Sequence, residues 1–157
     1  MIESANAGHG TTRRGHGTVT DTLTGLMWEM QTSTCSGEVT CSTNMYYWSE
    51  SSAVADGTLF TGFIAGLNGG DFAHHCDWRI PTIAELQTII ESGASGCGSG
   101  SPCIDSAFGP TQTSYYWSSS TFTGNLPNAW AVSFNNGNVN NMAKPFDNSA
   151  RAVRGSR

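Results

Sequence analysis

The residues best equipped for chemistry cluster at His74-His75-Cys76-Asp77, which offers two imidazoles, a thiol and a carboxylate in four positions. Such a group could bind zinc or pair a thiolate with a base. Consecutive side chains diverge from the backbone, however, and no second ligand group follows at a zinc-like interval, so this stretch is expected to be a surface turn and no metal site is assigned. Asp77-Trp78-Arg79 could in turn supply a catalytic acid beside a substrate clamp. Its expected role is an ion pair or capping network at the start of the next helix, because Thr82 and Glu85 form a T-x-x-E capping box. No Gly-x-Ser-x-Gly elbow lies between a strand and a helix, so the usual setting of a serine hydrolase is missing. The chain is expected to bind and not to catalyse.

Five cysteines stand at 35, 41, 76, 97 and 103. Cys35 with Cys41, and Cys97 with Cys103, would each close a short loop, the second tying off a Gly- and Ser-rich segment that cannot order itself by burial. Cys76 is left over. Five reduced thiols in a cytosolic protein are the alternative; flexible loops gain most from a staple, which favours an oxidising compartment.

Binding chemistry concentrates late in the chain. Eight of the eleven asparagines, at 125, 128, 135, 136, 138, 140, 141 and 148, lie between positions 125 and 148. Asn and Ser supply adaptable donors and acceptors, and Phe122, Phe146 and Tyr115 supply aromatic area, a mixture that antibody paratopes also use. The turn chemistry of asparagine offers a plainer reason for the crowding. The residues expected to touch a ligand are Phe122, Thr123, Asn125, Asn128, Asn135, Asn136, Asn138, Asn140, Asn141, Phe146, Asp147 and Asn148, with Ala131 and Ser133 added if their strand turns those positions outward. Trp28, Trp117 and Trp130 sit beside apolar neighbours in expected strands and are assigned to the core. Arg151 and Arg154 are expected to share one face of the last strand, fixing the scaffold or meeting an acidic ligand.

The elements that must position these residues follow from composition and pattern. At 157 residues the chain suits one domain, taken as 15–157 behind a flexible segment 1–14. Lys+Arg 7 against Asp+Glu 12, net charge -5, leaves almost nothing to track a phosphate backbone, so nucleic acid is not expected as a partner. No apolar stretch is long enough to span a bilayer, and residues 1–17 lack the hydrophobic centre of a signal peptide. Residues 17–28 are expected to form an opening hairpin. Apolar positions from Tyr47 to Leu67 predict a helix interrupted near Gly57, and a second helix starts at Thr82 with Ile83, Leu86, Ile89 and Ile90 on one face. Strands are expected over 115–119, 129–134 and 150–154, with Asn136-Gly137 as a hairpin turn. Two helices with a small antiparallel sheet make an α+β fold.

Several separated segments follow one pattern: Gly17-Thr-Val-Thr-Asp21 with Thr24-Gly-Leu-Met-Trp28, Asp77-Trp-Arg-Ile-Pro-Thr82 with Glu85-Leu-Gln87, Tyr116-Trp-Ser-Ser119, Ala129-Trp130, Phe134-Asn-Asn-Gly-Asn-Val139 and Arg151-Ala-Val-Arg-Gly155. Together they resemble the collagen-like-protein C-terminal domain family over about 15–155, with His16 standing where that family commonly has Asp. The resemblance implies a C-type-lectin-like fold of the formylglycine-generating-enzyme-like subclass. Oxidation chemistry of that relative needs late cysteines, and none follows Cys103. Many members are variable proteins of diversity-generating retroelements, in which miscopied template adenines scatter Asn codons into other residues. This implies a fixed scaffold, a variable region at about 115–155, a macromolecular partner that is protein or glycan, and a place at a cell surface, on a virion or in secreted material. Two alternatives remain: a calcium-dependent carbohydrate binder using Asn carbonyls, although Asp105 and Asp147 are the only carboxylates after Glu91, and a structural piece of a surface fibre. No other cofactor is expected.

Overall fold

A computed structural model describes residues 3–4, 10–14 and 16–155. Much of the segment expected to be flexible, 1–14, lies outside the described residues; within it, β1 (Glu3–Ser4) and β2 (Thr11–Arg14) pair antiparallel. The opening hairpin forms as expected from β3 (Thr18–Asp21) and β4 (Met27–Glu29), with Val19 opposite Trp28. Asp21 holds its turn by accepting from the Leu23 N–H at 2.9 Å and the Thr24 hydroxyl at 2.7 Å. The chain's far end returns to this hairpin as β10 (Val153–Arg154), completing a five-stranded sheet ordered β1-β2-β3-β4-β10.

The first expected helix is shorter than its apolar pattern. Tyr46–Tyr47 is a strand, β5, and only 59–69 is helical, as a π-helical turn Leu59–Ile64 running into α1 (Ala65–Gly69). Gly57 marks the break: its N–H donates to the Trp48 carbonyl, and a Cβ there would strike the carbonyls of Tyr47 and Trp48. The second helix, α2 (Ile83–Thr88), is capped as its sequence requires. Thr82 accepts from the Glu85 N–H, and the Glu85 carboxylate accepts from the Thr82 N–H at 2.8 Å. Ile89 and Ile90, expected on the helix, lie just beyond its end and still pack into the core.

The last third forms a three-stranded antiparallel sheet, β6 (Tyr115–Thr121), β7 (Asn128–Ser133) and β8 (Val139–Ala143), in that order. β9 (Asp147–Asn148) then pairs with β5. Between β7 and β8 the Asn136-Gly137 turn forms with Gly137 at φ 76°, a left-handed angle that costs glycine little. The expected strand over 150–154 shrinks to its last two residues. The architecture is mixed, with short helices and small antiparallel sheets.

Strand alternation places this late sheet between two cores. Tyr116 and its partner Val132 face a cluster with Trp28, Leu86, Phe108 and Phe134, whereas Trp117 and its partner Ala131 face another with Trp48, Phe63, Trp78 and Ala152. The sheet is thus clamped on both sides over much of its width, a rigid base for whatever its edge and ends present.

Candidate functional site

The expected ligand-contacting residues stay at the surface only in part, and pleating decides which. Thr123, Asn125, Asn136, Asn138, Asn140, Asn141, Phe146 and Asp147 are exposed, and Phe122, Asn128 and Asn135 are half-buried. Ala131, Ser133 and Asn148 are buried and are removed from the contact surface. Ala131 points into the core beside Trp117, and Ser133 lies under the β7–β8 turn, which it closes through backbone bonds to Asn138 and Gly137. Asn148 is covered because β9 pairs with β5.

The exposed positions do not make one face. Cross-strand partners share a side of a sheet, and Trp130 is opposite Asn141 while Ala131 is opposite Asn140. Asn141 therefore lies with Trp130 and Asn128 on one side, where the Asn128 amide donates to the Asn141 carbonyl at 2.7 Å. Asn140 lies on the other side, donating to the Tyr115 hydroxyl at 2.7 Å. Asn135, Asn136 and Asn138 belong to the β7–β8 turn, where the Asn136 side chain accepts from the Asn138 N–H at 3.1 Å.

A compact constellation forms at the other end of β7. The Phe122 ring meets Trp130 edge-on, with centroids 4.8 Å apart, beside the Asn128–Asn141 pair. The β6–β7 turn is tied by bonds from Phe122 N–H to Asn128 O, Asn125 N–H to Phe122 O and Asn128 N–H to Asn125 O. The Lys144 N–H donates to Pro127 O at 3.0 Å, which sets the β8–β9 turn against it. Leu126 and Phe146 project from these adjoining turns with 64 % and 67 % exposure. Two residues before Phe146, Lys144 is buried, its ammonium 4.1 Å from the centre of the Trp48 ring, and desolvation holds its pKa below the usual lysine value.

Trp130, assigned to the core from the sequence, is half-buried and belongs to neither core cluster, and Leu126 was not singled out at all. For Trp130 a signal existed: in Ala129-Trp-Ala131 both alanines face the core, so the ring between them must point the other way. For Leu126 there was none, because a leucine in a turn gains exposure only from how that turn is tied.

The remaining candidates lie away from this end of the sheet. In 71–74, Asp71, Ala73 and His74 take left-handed angles of 50°, 55° and 62°. His74 and Cys76 are exposed, and the His74 ring lies edge-on to His16 at 5.3 Å. Among the described residues no group of three or more His, Cys, Asp or Glu side chains is placed to hold a metal ion. Arg79 grips Glu85 through two bonds of 2.7 Å, joining the cap of α2. Burial would raise the Glu85 carboxyl, but Arg79 and the Thr82 N–H outweigh it and hold the pKa below the usual range. Asp77 is held low by Arg154, which donates at 2.6 and 3.2 Å.

Arg151 and Arg154, three residues apart, do not share a face. Arg151 is fully buried, donating to Glu29 O at 2.8 Å, Phe108 O at 3.0 Å, Gln31 Oε1 at 3.0 Å and Thr111 Oγ1 at 2.8 Å. Glu29 lies fully buried nearby with Oε1 unpartnered, and desolvation, opposed by Arg151, lifts its pKa to about 7. Trp28 and Trp117 are core residues as expected, both without exposure.

Both expected disulfides, Cys35–Cys41 and Cys97–Cys103, are formed, and Cys76 is free. They fit a non-reducing, extracellular-type environment. Among the described residues no helix is long and apolar enough to cross a membrane.

No curated protein matches the chain. Residues 17–154 match the model of the Lcl C-terminal domain, from the opening hairpin to β10, and the chain belongs to that family.

Proposed function

We propose that this domain is a ligand-binding module of receptor or adhesion type, a variable protein of a diversity-generating retroelement that carries mutable residues on a C-type-lectin-like scaffold of the formylglycine-generating-enzyme-like subclass. Its partner is a macromolecular surface, protein or glycan, met at a cell surface, on a virion or in secreted material.

One observation carries the reading. The Phe122–Trp130 pair, the hydrogen-bonded Asn128 and Asn141, and the exposed Leu126 and Phe146 gather aromatic and apolar area among amides at one end of a clamped sheet. Large rings on a rigid base anchor a partner with little entropy loss, while amides fix its orientation. Side chains in turns and on an edge strand can change without disturbing either core, which is what diversification demands. The revised contact set is Phe122, Thr123, Asn125, Leu126, Asn128, Trp130, Asn141, Phe146 and Asp147, with Asn140 and the turn asparagines 135, 136 and 138 on separate aspects of the sheet.

Two measurements test it. Flanking DNA should hold a near-copy of the stretch encoding 115–155 that differs only at adenines, beside a reverse transcriptase gene; without such a copy the diversification reading is lost. On glycan and protein arrays, Phe122→Ala and Phe146→Ala should weaken the wild-type binding pattern while circular dichroism stays unchanged. Array patterns identical to wild type would remove this surface from the function.

A further inference from the structure

At the opposite end of β7 lies a cavity of about 660 Å³, walled by Met30–Gln31, the turn after α2 and segment 101–111. This is within the size range of small-molecule sites and has room for a short saccharide. Its wall is pinned, not loose. Cys97–Cys103 closes the loop, Gly98 and Cys103 N–H donate to Asn135 O and Phe134 O at 2.8 and 2.7 Å, and Glu91 N–H donates to Cys103 O at 2.9 Å.

The lining sorts into satisfied and unsatisfied groups. Gln31 and Thr111 are committed to Arg151, and Asp105 accepts from Ala107 N–H at 2.8 Å and Thr11 Oγ1 at 3.3 Å. The half-buried Glu91 carboxylate, which also lines the cavity, has no side-chain hydrogen bond or ion pair among the described residues, and neither do the hydroxyls of Ser95 and Ser101. Met30, Pro102, Ile104 and Pro110 add apolar wall. No Lys, Arg or His lines the space among the described residues; Arg151 is buried behind two of the lining residues, Gln31 and Thr111, to which it donates.

A half-buried carboxylate without a partner favours a cation, and charge-assisted bonds are the strong ones. Free hydroxyls beside apolar wall favour a hydroxylated ring with an apolar face. We propose that this cavity binds a small hydroxylated cation of the amino-sugar class, its ammonium on Glu91, its hydroxyls on Ser95 and Ser101 and its ring against Pro102 and Ile104. The site is separate from the Phe122–Phe146 end and does not depend on the role of that surface.

The test titrates the intact domain with the glucosamine dimer and, as neutral comparators, the glucose and N-acetylglucosamine dimers, followed by backbone amide NMR shifts and calorimetry. Shifts confined to 30–31, 91–95 and 101–111, with the cationic dimer bound at least tenfold more tightly than either comparator, support the proposal. Glu91→Gln should weaken the cationic dimer by roughly tenfold, and Phe122→Ala should leave it unchanged. Equal binding of all three probes, shifts centred on 122–146, or no saturable shift with the glucosamine dimer would each overturn it.

Discussion

The two ends of β7 solve opposite problems. At the Asn128 end, the short turns at 122–127 and 143–147 brace each other through the Lys144–Pro127 bond and push Leu126 and Phe146 outward over a clamped sheet. At the Ser133 end, the glycine- and serine-rich segment 93–101 has little apolar material, and a disulfide with a few backbone bonds to residues 134 and 135 holds it around a concave space, while Ile104, Ala107 and Phe108 root the stretch that follows in the core. Convex contact area is held here by core packing, and concave area by a staple. The first tolerates side-chain change, because its rigidity comes from Trp117, Ala129 and Ala131 beneath; the second depends on loop covalency.

The largest expected effect removes the base of the convex end. Trp117→Ala deletes a fully buried ring and its 2.7 Å bond from Nε1 to Tyr46 O, and should cost about 3–5 kcal/mol, enough to unfold much of the chain in thermal melts. A loss below about 1 kcal/mol would mean that this end does not rest on its core.

Next comes the pH response of the buried Glu29–Arg151 network behind the concave end. Because folding raises the Glu29 carboxyl to about 7, the folded state holds its proton where the unfolded chain has released it. Stability from this group is fully present below about pH 4.5 and declines as pH rises to about 7, on the order of 3 kcal/mol in total. Asp77 and Glu85, whose pKa values are lowered, act oppositely, and their stabilisation is lost as pH falls below the usual carboxylate range. Denaturant midpoints from pH 4 to 8 should therefore fall between about pH 4.5 and 7 in wild type and flatten across that window in Glu29→Gln. An unchanged slope in the variant would assign the decline elsewhere.

Removing the staple separates the two ends. Replacing Cys97 and Cys103 with serine should cost roughly 2 kcal/mol and speed amide exchange across 93–109 while 122–147 stays protected. Equal loosening at both ends would show that the loop supports the whole sheet. The smallest effect belongs to the exposed side chains: Leu126→Ala and Phe146→Ala should change stability by less than about 0.5 kcal/mol. A loss above 2 kcal/mol in either would place that side chain in the core and remove it from any contact surface.

Local signals in the chain were reliable where neighbours in sequence are neighbours in space. The capping box at Thr82 and Glu85, the two six-residue cysteine spacings and the Asn136-Gly137 turn all formed as written. Longer patterns were less secure. The apolar run from Tyr47 to Leu67 resembles a helix, yet Tyr46–Tyr47 found a strand partner in β9, and no local pattern announces a partner a hundred residues away.

The sequence alone therefore settled which short segments turn, cap and cross-link, because those depend on backbone preferences and contacts a few residues long. It also settled the acidic character of the chain. The tertiary structure decided which asparagines meet solvent, that Trp130 joins Phe122 outside while Trp117 goes inside, and that Arg151 lies buried while Arg154 pairs with Asp77. These outcomes turn on strand register and on which face of a sheet another layer covers. A shift of one residue reverses them, so they are properties of the assembled layers and not of any stretch of chain.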